Sequence, residues 1–350
     1  MKENRFDRLY RAIVNREPMV PPPPFELHVG KDLRSAWMGR PLKTLSDDIA
    51  FWAQAGYCLY PITIGLQHFG SIMVVAGAGQ QVGHSHYSLY RDEDVEMSWA
   101  ATDRGAICSD KDFDKFPWPD PDKADLSALD AAAPLLPHGM KIVANIGKIF
   151  TGAWQLMGFN CFAESLHDQP SLVDRVFERI ARIQVRVTER VIQHPAVGAI
   201  LHADDLAYFS GLMIKPEVFR RYVFPAYKSL AATCKERKIL YLFHSDGQIG
   251  SVIPDIIDCG FVGLHPLEPK PMDAVQVKRE WGNRICLLGH IDVDLLARGT
   301  PQEVSARTRW CMDNLARDGG YCPGSANSVP DYVPLANYKA MLETIQGWKG

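Results

Sequence analysis

The sequence predicts an α/β fold, a (β/α)8 TIM-type barrel, on three observations. Short apolar strands alternate with helical segments at barrel spacing through the second half of the chain. Most of these strands end in a polar residue, as Ala199-Ile-Leu-His202, Ile239-Leu-Tyr-Leu-Phe-His244, Phe261-Val-Gly-Leu-His265 and Ile285-Cys-Leu-Leu-Gly-His290 do. No glycine-rich phosphate fingerprint follows any strand, which removes support from an open dinucleotide-binding sheet.

The remaining elements fit that rhythm. Asn4 to Arg16 has helical periodicity through Phe6, Leu9, Tyr10, Ile13 and Val14, and the tract Pro18 to Pro24 ends this N-terminal extension because proline cannot continue a helix. Leu45 to Gly56 reads as an amphipathic helix stopped by glycine, and Tyr57 to Ile64 as a strand. Asp110 to Pro137, rich in proline and aspartate, reads as a surface insertion that could serve as a lid. Lys141 to Asn145 follows as a strand, Ser165 to Gln193 as one long helix, and Pro216 to Glu236 as a helix kinked at Pro225. Gly319-Gly-Tyr-Cys322 closes the strand series before a last helix from Pro334 to Trp348. One domain, 1–350, accounts for all of it.

Composition bounds the function. The 350 residues are 47% hydrophobic and 23% charged with a net charge of −3, enough to bury a large core and without the basic stripe that a nucleic-acid partner requires. Met1 to Glu17 lacks the apolar core of a signal peptide, and no apolar run reaches the roughly 20 residues that span a bilayer, so a cytoplasmic protein with no membrane partner is expected. Eight cysteines scattered singly favour free buried thiols over a disulfide framework.

In such barrels the C-terminal strand ends share one mouth, which would bring His202, His244, His265 and His290 together. Each alone reads as a hydrogen-bonded structural histidine; four together point to proton transfer or metal ligation. His244-Ser-Asp246 places two zinc ligand types on one face of a strand end, with Cys322, Glu268 or His290 as candidates to complete the shell. The alternative for Cys322 is a buried small apolar residue. Of the adjacent acids, Asp204 is assigned to the site and Asp205 to capping the next helix. Phe150, Trp154 and Tyr208 are candidates for an apolar wall around a flat substrate, and Asn145, His265 and Glu268 for its polar contacts.

The run His202-Ala-Asp-Asp205, Ile214-Lys-Pro216-Glu-Val-Phe219, Phe224-Pro225, Phe243-His-Ser-Asp-Gly247 and Leu264-His-Pro-Leu-Glu-Pro269 resembles the uroporphyrinogen decarboxylase superfamily. Gly289-His-Ile-Asp292, Asn327-Ser-Val-Pro330 and the opening Arg5-Phe-Asp-Arg-Leu extend the match over most of the chain. The resemblance implies a (β/α) barrel and one of two activities, decarboxylation of uroporphyrinogen or corrinoid-dependent methyl transfer. Decarboxylases of the family carry an Arg-Gln-Ala-Gly-Arg segment that holds substrate carboxylates, and here Phe25-Glu-Leu-His-Val-Gly30 stands in that neighbourhood. The family's thiol methyltransferases bind zinc with a His-X-Cys pair and a later cysteine. His244 matches, Asp246 takes the first cysteine position, and the second falls near Ser325 or, with a shift, at Cys322.

The resemblance thus implies a demethylating component that passes a methyl group from a small methylated substrate, such as an aryl methyl ether, to a Co(I) corrinoid (cobalamin) on a partner corrinoid protein, with zinc as the candidate metal. Its expected catalytic residues are His202, Asp204, His244, Asp246 and His290; its substrate contacts Asn145, Trp154, Tyr208, His265 and Glu268; its metal ligands His244, Asp246 and Cys322. A tetrapyrrole decarboxylase and a non-catalytic corrinoid- or tetrapyrrole-binding protein are the alternatives. A homodimer is left open.

Overall fold

The computed structural model describes residues 4–64 and 104–350. Seven parallel strands form one curled sheet in the order β1 (Leu59–Thr63), β2 (Lys141–Ile146), β3 (Val197–Ala203), β6 (Leu240–His244), β7 (Gly263–His265), β8 (Cys286–Ile291) and β9 (Tyr321–Ser325). A small hairpin, β4 (Ala207–Tyr208) with β5 (Gly211–Leu212), follows β3. The expected eighth strand is not regular among the described residues. Its place beside β9 is taken by an extended segment in which the Phe25 amide donates to the Pro323 carbonyl at 2.9 Å and Val29 forms a parallel bridge with Val329. The reason is the proline tract Pro21 to Pro24, which has no N–H to offer a ladder.

Alternation along the strands sorts side chains into two layers. Val143, Ala199, Leu201, Leu240, Leu242, Cys286, Leu288 and Cys322 fill the interior with Phe25. Phe6, Leu9, Ala12 and Ile13, from the N-terminal helix Arg5–Tyr10 and the turn that continues it, join the same cluster. The Phe6 amide donates to the Gly139 carbonyl just before β2, so this helix plugs the N-terminal end of the barrel and leaves the other end for chemistry. Ile142, Ala144, Ile200, Tyr241, Phe243, Leu264 and Leu287 belong to the outer cluster shared with the helices.

Two predicted helices are broken. Ser165 to Gln193 resolves into Phe159–Asp168 and Pro170–Val191, because Pro170 pushes Gln169 out of the helical region, to φ −138° and ψ 54°. The kink expected at Pro225 becomes a break between Pro216–Tyr222 and Phe224–Glu236 at Val223. The insertion is not a lid but a belt along the helix Pro170–Val191. Arg175 binds Asp110 and Asp114, Arg186 binds Asp122 at 2.7 Å, and Arg190 donates to the Pro121 carbonyl at 2.7 Å. The carboxylate pairs are exposed and contribute little each; Arg175 stacked 4.1 Å from the Phe113 ring adds packing. No helix among the described residues is long and apolar enough to cross a membrane.

One buried acid carries local structure rather than chemistry. The Asp204 carboxylate accepts hydrogen bonds from the amides of Ile149, Phe150 and Thr151 at 2.8–2.9 Å and from the Tyr227 hydroxyl at 2.8 Å. It therefore caps the helix Phe150–Met157 from a distant strand end, satisfying amides that the helix itself cannot. Burial raises its pKa, and the amide and hydroxyl donors oppose that shift. The sequence assignment of Asp204 to the mouth and Asp205 to a cap is thus reversed. Asp204→Ala should cost on the order of 3 kcal/mol, since it orphans three amides and a buried hydroxyl, and Asp204→Asn should cost less by keeping one acceptor oxygen. Urea unfolding followed by circular dichroism checks this; an alanine variant with the wild-type midpoint would remove the capping role.

Candidate functional site

Strand parity decides which polar residues reach the mouth. On β6 the interior positions Leu240 and Leu242 are followed by His244, on β7 Gly263 is followed by His265, and on β2 Val143 is followed by Asn145. His202 has the opposite parity to Ala199 and Leu201 and turns into the outer layer. Its ring lies 4.7 Å from that of Tyr227 and 5.5 Å from that of Tyr241, and it is fully buried. Burial pushes its pKa down to about 3, so it is a neutral packing residue and not the catalytic one expected.

His290 has interior parity but does not follow it. Gly289 and His290 both take left-handed backbone, φ 98° and 79°, and the ring swings outward to share hydrogen bonds with the Leu267 carbonyl at 2.6 Å and Arg307 Nη2 at 2.9 Å. Burial pushes its pKa down to about 4, the Arg307 charge adding to it. Cys322 sits level with Leu288, below the mouth in the interior cluster. A hydrogen bond with Cys286, together with burial, holds its thiol well above the ordinary range. It is a core thiol rather than a metal ligand, and the expected His244, Asp246, Cys322 triad does not assemble.

The group that does assemble is Asp205, His244 and Asp246, whose ligand atoms all lie within 4.8 Å of one another. His244 Nε2 stands 3.8 Å from Asp205 Oδ1 and 3.7 Å from Asp246 Oδ1. Asn327 Nδ2 donates to both Asp246 oxygens, at 2.9 and 2.8 Å, and the Asp246 amide donates to Asp205 Oδ1 at 3.1 Å. Burial raises the Asp246 pKa to about 6; Asp205 and Glu268 add to the rise, and His244 and Asn327 oppose it. Glu268 fixes the same turn by accepting the Gly247 amide at 2.6 Å. Gly247, at φ 83°, is required there, because a β-carbon would lie 2.6 Å from the Tyr208 carbonyl oxygen.

Behind this group, His244 Nδ1 and His265 Nδ1 share one hydrogen bond of 2.8 Å, with the rings stacked 5.0 Å apart. His265 is fully buried, its Nε2 has no partner, and burial pushes its pKa well below the usual value, His244 adding to it. If His244 Nε2 offers its lone pair to a cation, Nδ1 must carry the proton and donate it to His265 Nδ1. His265 Nε2–H is then a free buried donor. The donor set of two half-buried carboxylates and one buried imidazole fits a divalent cation with a preference for oxygen ligands.

The other expected contacts separate. Asn145 Oδ1 is buried without a partner. Trp154 lies in the helix Phe150–Met157, its ring 5.9 Å from that of Phe159 and its Nε1 buried without a partner among the described residues, whereas Phe150 is fully buried against Phe162 and Phe219 and forms no wall. Tyr208 is 58% exposed on the hairpin, beside Phe209 at 66%. The sequence reading missed Glu26, which is buried and accepts from the Ser325 amide at 2.6 Å and hydroxyl at 2.7 Å. Its signal was an acid inside the apolar segment Phe25 to Gly30. Burial pushes its pKa up to about 8, the two Ser325 donors opposing.

A parallel barrel with its polar cluster on the C-terminal strand ends defines an enzyme-type barrel. The family model described as uroporphyrinogen decarboxylase (URO-D) matches residues 102–348, and the chain belongs to that family. It is similar to a methylated-thiol–coenzyme M methyltransferase of Methanosarcina mazei, 32% identical over 137 residues, 38% of this chain and 34% of that protein. It is similar also to methylcobamide:CoM methyltransferases MtaA of Methanosarcina barkeri, 28% identical over 134 residues (37% and 36% of the two chains) and 24% over 205 residues (57% and 56%). The match thus spans about a third of the length of the first two relatives. A solved methyltransferase from Methanosarcina mazei shares the fold, with a TM-score of 0.70 at 18% identity over 98% of both chains.

Because Glu26 has a higher pKa folded than unfolded, its contribution to stability is present below about 4.5 and is lost as pH rises through about 8. Glu26→Gln should therefore gain stability relative to wild type between pH 5 and 8.5, read as the difference in thermal midpoint. A constant difference across that range would show that Glu26 is not the buried neutral acid described.

Proposed function

We propose that the chain is a methyltransferase that moves a methyl group between a small methylated substrate and a cobalamin-type corrinoid carried by a partner protein, with a divalent cation held by Asp205, His244 and Asp246. The observation that carries the reading is the convergence of those three ligand atoms at the barrel mouth, in a family whose similar proteins are named as methylcobamide and methylated-thiol methyltransferases. The decarboxylase alternative is weaker because the segment at Phe25 to Gly30 holds no arginine and its one acid, Glu26, is engaged by Ser325.

In demethylation of an ether, the carbon–oxygen bond breaks with its electron pair left on oxygen while the methyl carbon bonds to the Co(I) nucleophile. An oxygen anion is a poor leaving group, so the site must stabilise it or protonate it. When bound, a divalent cation supplies Lewis-acid stabilisation of that oxygen. Asn327 and the Asp246 amide hold the two carboxylates in place, and His265 fixes the His244 tautomer through Nδ1. His265 Nε2 and Asn145 Oδ1, both without partners among the described residues, are groups suited to orient substrate. Exchanging thiolate for carboxylate donors suits a substrate that leaves through oxygen, as an aryl methyl ether does, better than a thiol. Tyr208 and Phe209 offer the corrin face an apolar edge.

Reduced cobalamin incubated with methoxylated aromatics or methylamines, with zinc, manganese or magnesium supplied, should yield methylcobalamin. His244→Ala should lose stoichiometric metal and lower the rate roughly 100-fold or more. Wild-type protein that binds neither metal nor methyl acceptor would sink the proposal, and corrinoid retention without turnover would favour a binding protein. Tyr208→Ala should raise the KM for cobalamin several-fold with kcat nearly unchanged; an unaltered KM removes the hairpin from the corrinoid contact.

A further inference from the structure

We infer that His290 and Arg307 are positioning residues that hold the Asp246–Gly247 turn in place from the outer helix Pro301–Cys311. The inference rests on the reading of Asp205, His244 and Asp246 as the site, and adds residues that touch none of them.

The chain of contacts is continuous. Arg307 Nη2 lies 2.9 Å from His290 Nε2, and His290 Nδ1 lies 2.6 Å from the Leu267 carbonyl oxygen. Leu267 is followed by Glu268, whose carboxylate accepts the Gly247 amide at 2.6 Å. A second strap runs in parallel, from the Gln248 side-chain amide to the Pro271 carbonyl at 2.6 Å. The segment between has prolines at 266, 269 and 271, so few of its dihedrals are soft, and a shift at Leu267 is passed to Glu268 rather than absorbed.

Charge sets the direction of each bond. A guanidinium only donates, so His290 Nε2 must accept, and the ring proton must then sit on Nδ1, where it donates to Leu267. Arg307 thereby selects the one neutral tautomer that can hold the Leu267 carbonyl. Burial and the Arg307 charge both disfavour protonation of the ring, which would abolish the acceptor. The left-handed backbone at His290 is the cost of this outward orientation: β8 leaves its regular alternation at Gly289 and His290, and only then can the ring reach Arg307.

The test is amide hydrogen exchange on the full chain, comparing wild type with His290→Ala, Arg307→Met and His290→Asn. Asparagine tolerates left-handed backbone and can present an amide donor where Nδ1 stood. His290→Ala should speed exchange in the peptide covering 244–250 by roughly tenfold while leaving the helix Pro170–Val191 unchanged; His290→Asn should restore most of the protection, and Arg307→Met should fall between. Manganese affinity, measured on the same proteins, should weaken in the same order. Unchanged exchange at 244–250 in His290→Ala and Arg307→Met, or an equal rise throughout the protein, would overturn the positioning role. Wild-type protein that binds no manganese counts against the cation site alone, because the exchange comparison still decides the contact chain.

Discussion

Curling a parallel sheet around a packed interior forces every strand residue to choose between the barrel lumen and the helical layer, and the rest of this protein depends on that choice. The lower lumen is filled by Val143, Leu201, Leu240, Leu242 and Leu288 and closed by the N-terminal helix through Phe6 and Leu9. A full lumen leaves room for polar groups only in the last layer, at the C-terminal ends. His244 and His265 are there because each continues the interior parity of its strand, and His202 is not because it is one residue out of phase.

Once that layer is defined, the turns beyond it determine its charge. Asp204 turns back to cap the helix Phe150–Met157, and its neighbour Asp205 is presented to the mouth. The turn after β6 is held by Ser245, whose hydroxyl accepts the Leu206 amide, by Gly247 against the hairpin, and by Glu268. Two carboxylates and a buried imidazole pair are thus kept close without a cationic side chain among them. Burial raises the Asp246 pKa to about 6, the neighbouring Asp205 and Glu268 charges adding to the rise and His244 and Asn327 opposing it.

The barrel surroundings are correspondingly stiff. The insertion lies along an outer helix through Arg175, Arg186 and Arg190, and Tyr208 and Phe209 are exposed on the hairpin after β3. The polar cluster is preorganised, its two carboxylates held by Asn327 and by the Asp246 amide.

By itself the sequence determined the class of fold, the strand positions of β3, β6, β7 and β8, and the pairing of His244 with Asp246, because each is written in local signals: apolar runs, helix caps and an i, i+2 spacing. The proline effect at residue 225 was equally local, although its full consequence, a break rather than a bend, depended on neighbouring packing, and the break before Pro170 was not expected from the helical pattern that runs through it. Tertiary structure alone decided which acid caps and which faces the mouth, because Asp204 and Asp205 differ only in the direction that the turn after β3 takes. It also decided the fate of His290, where two left-handed residues reverse the strand alternation, and of Glu26, whose partner Ser325 is 299 residues away. Cys322 shows the same limit: a cysteine at a strand end is a ligand or a core residue according to its height in the barrel, and height is set by register with the neighbouring strand, which no local pattern encodes.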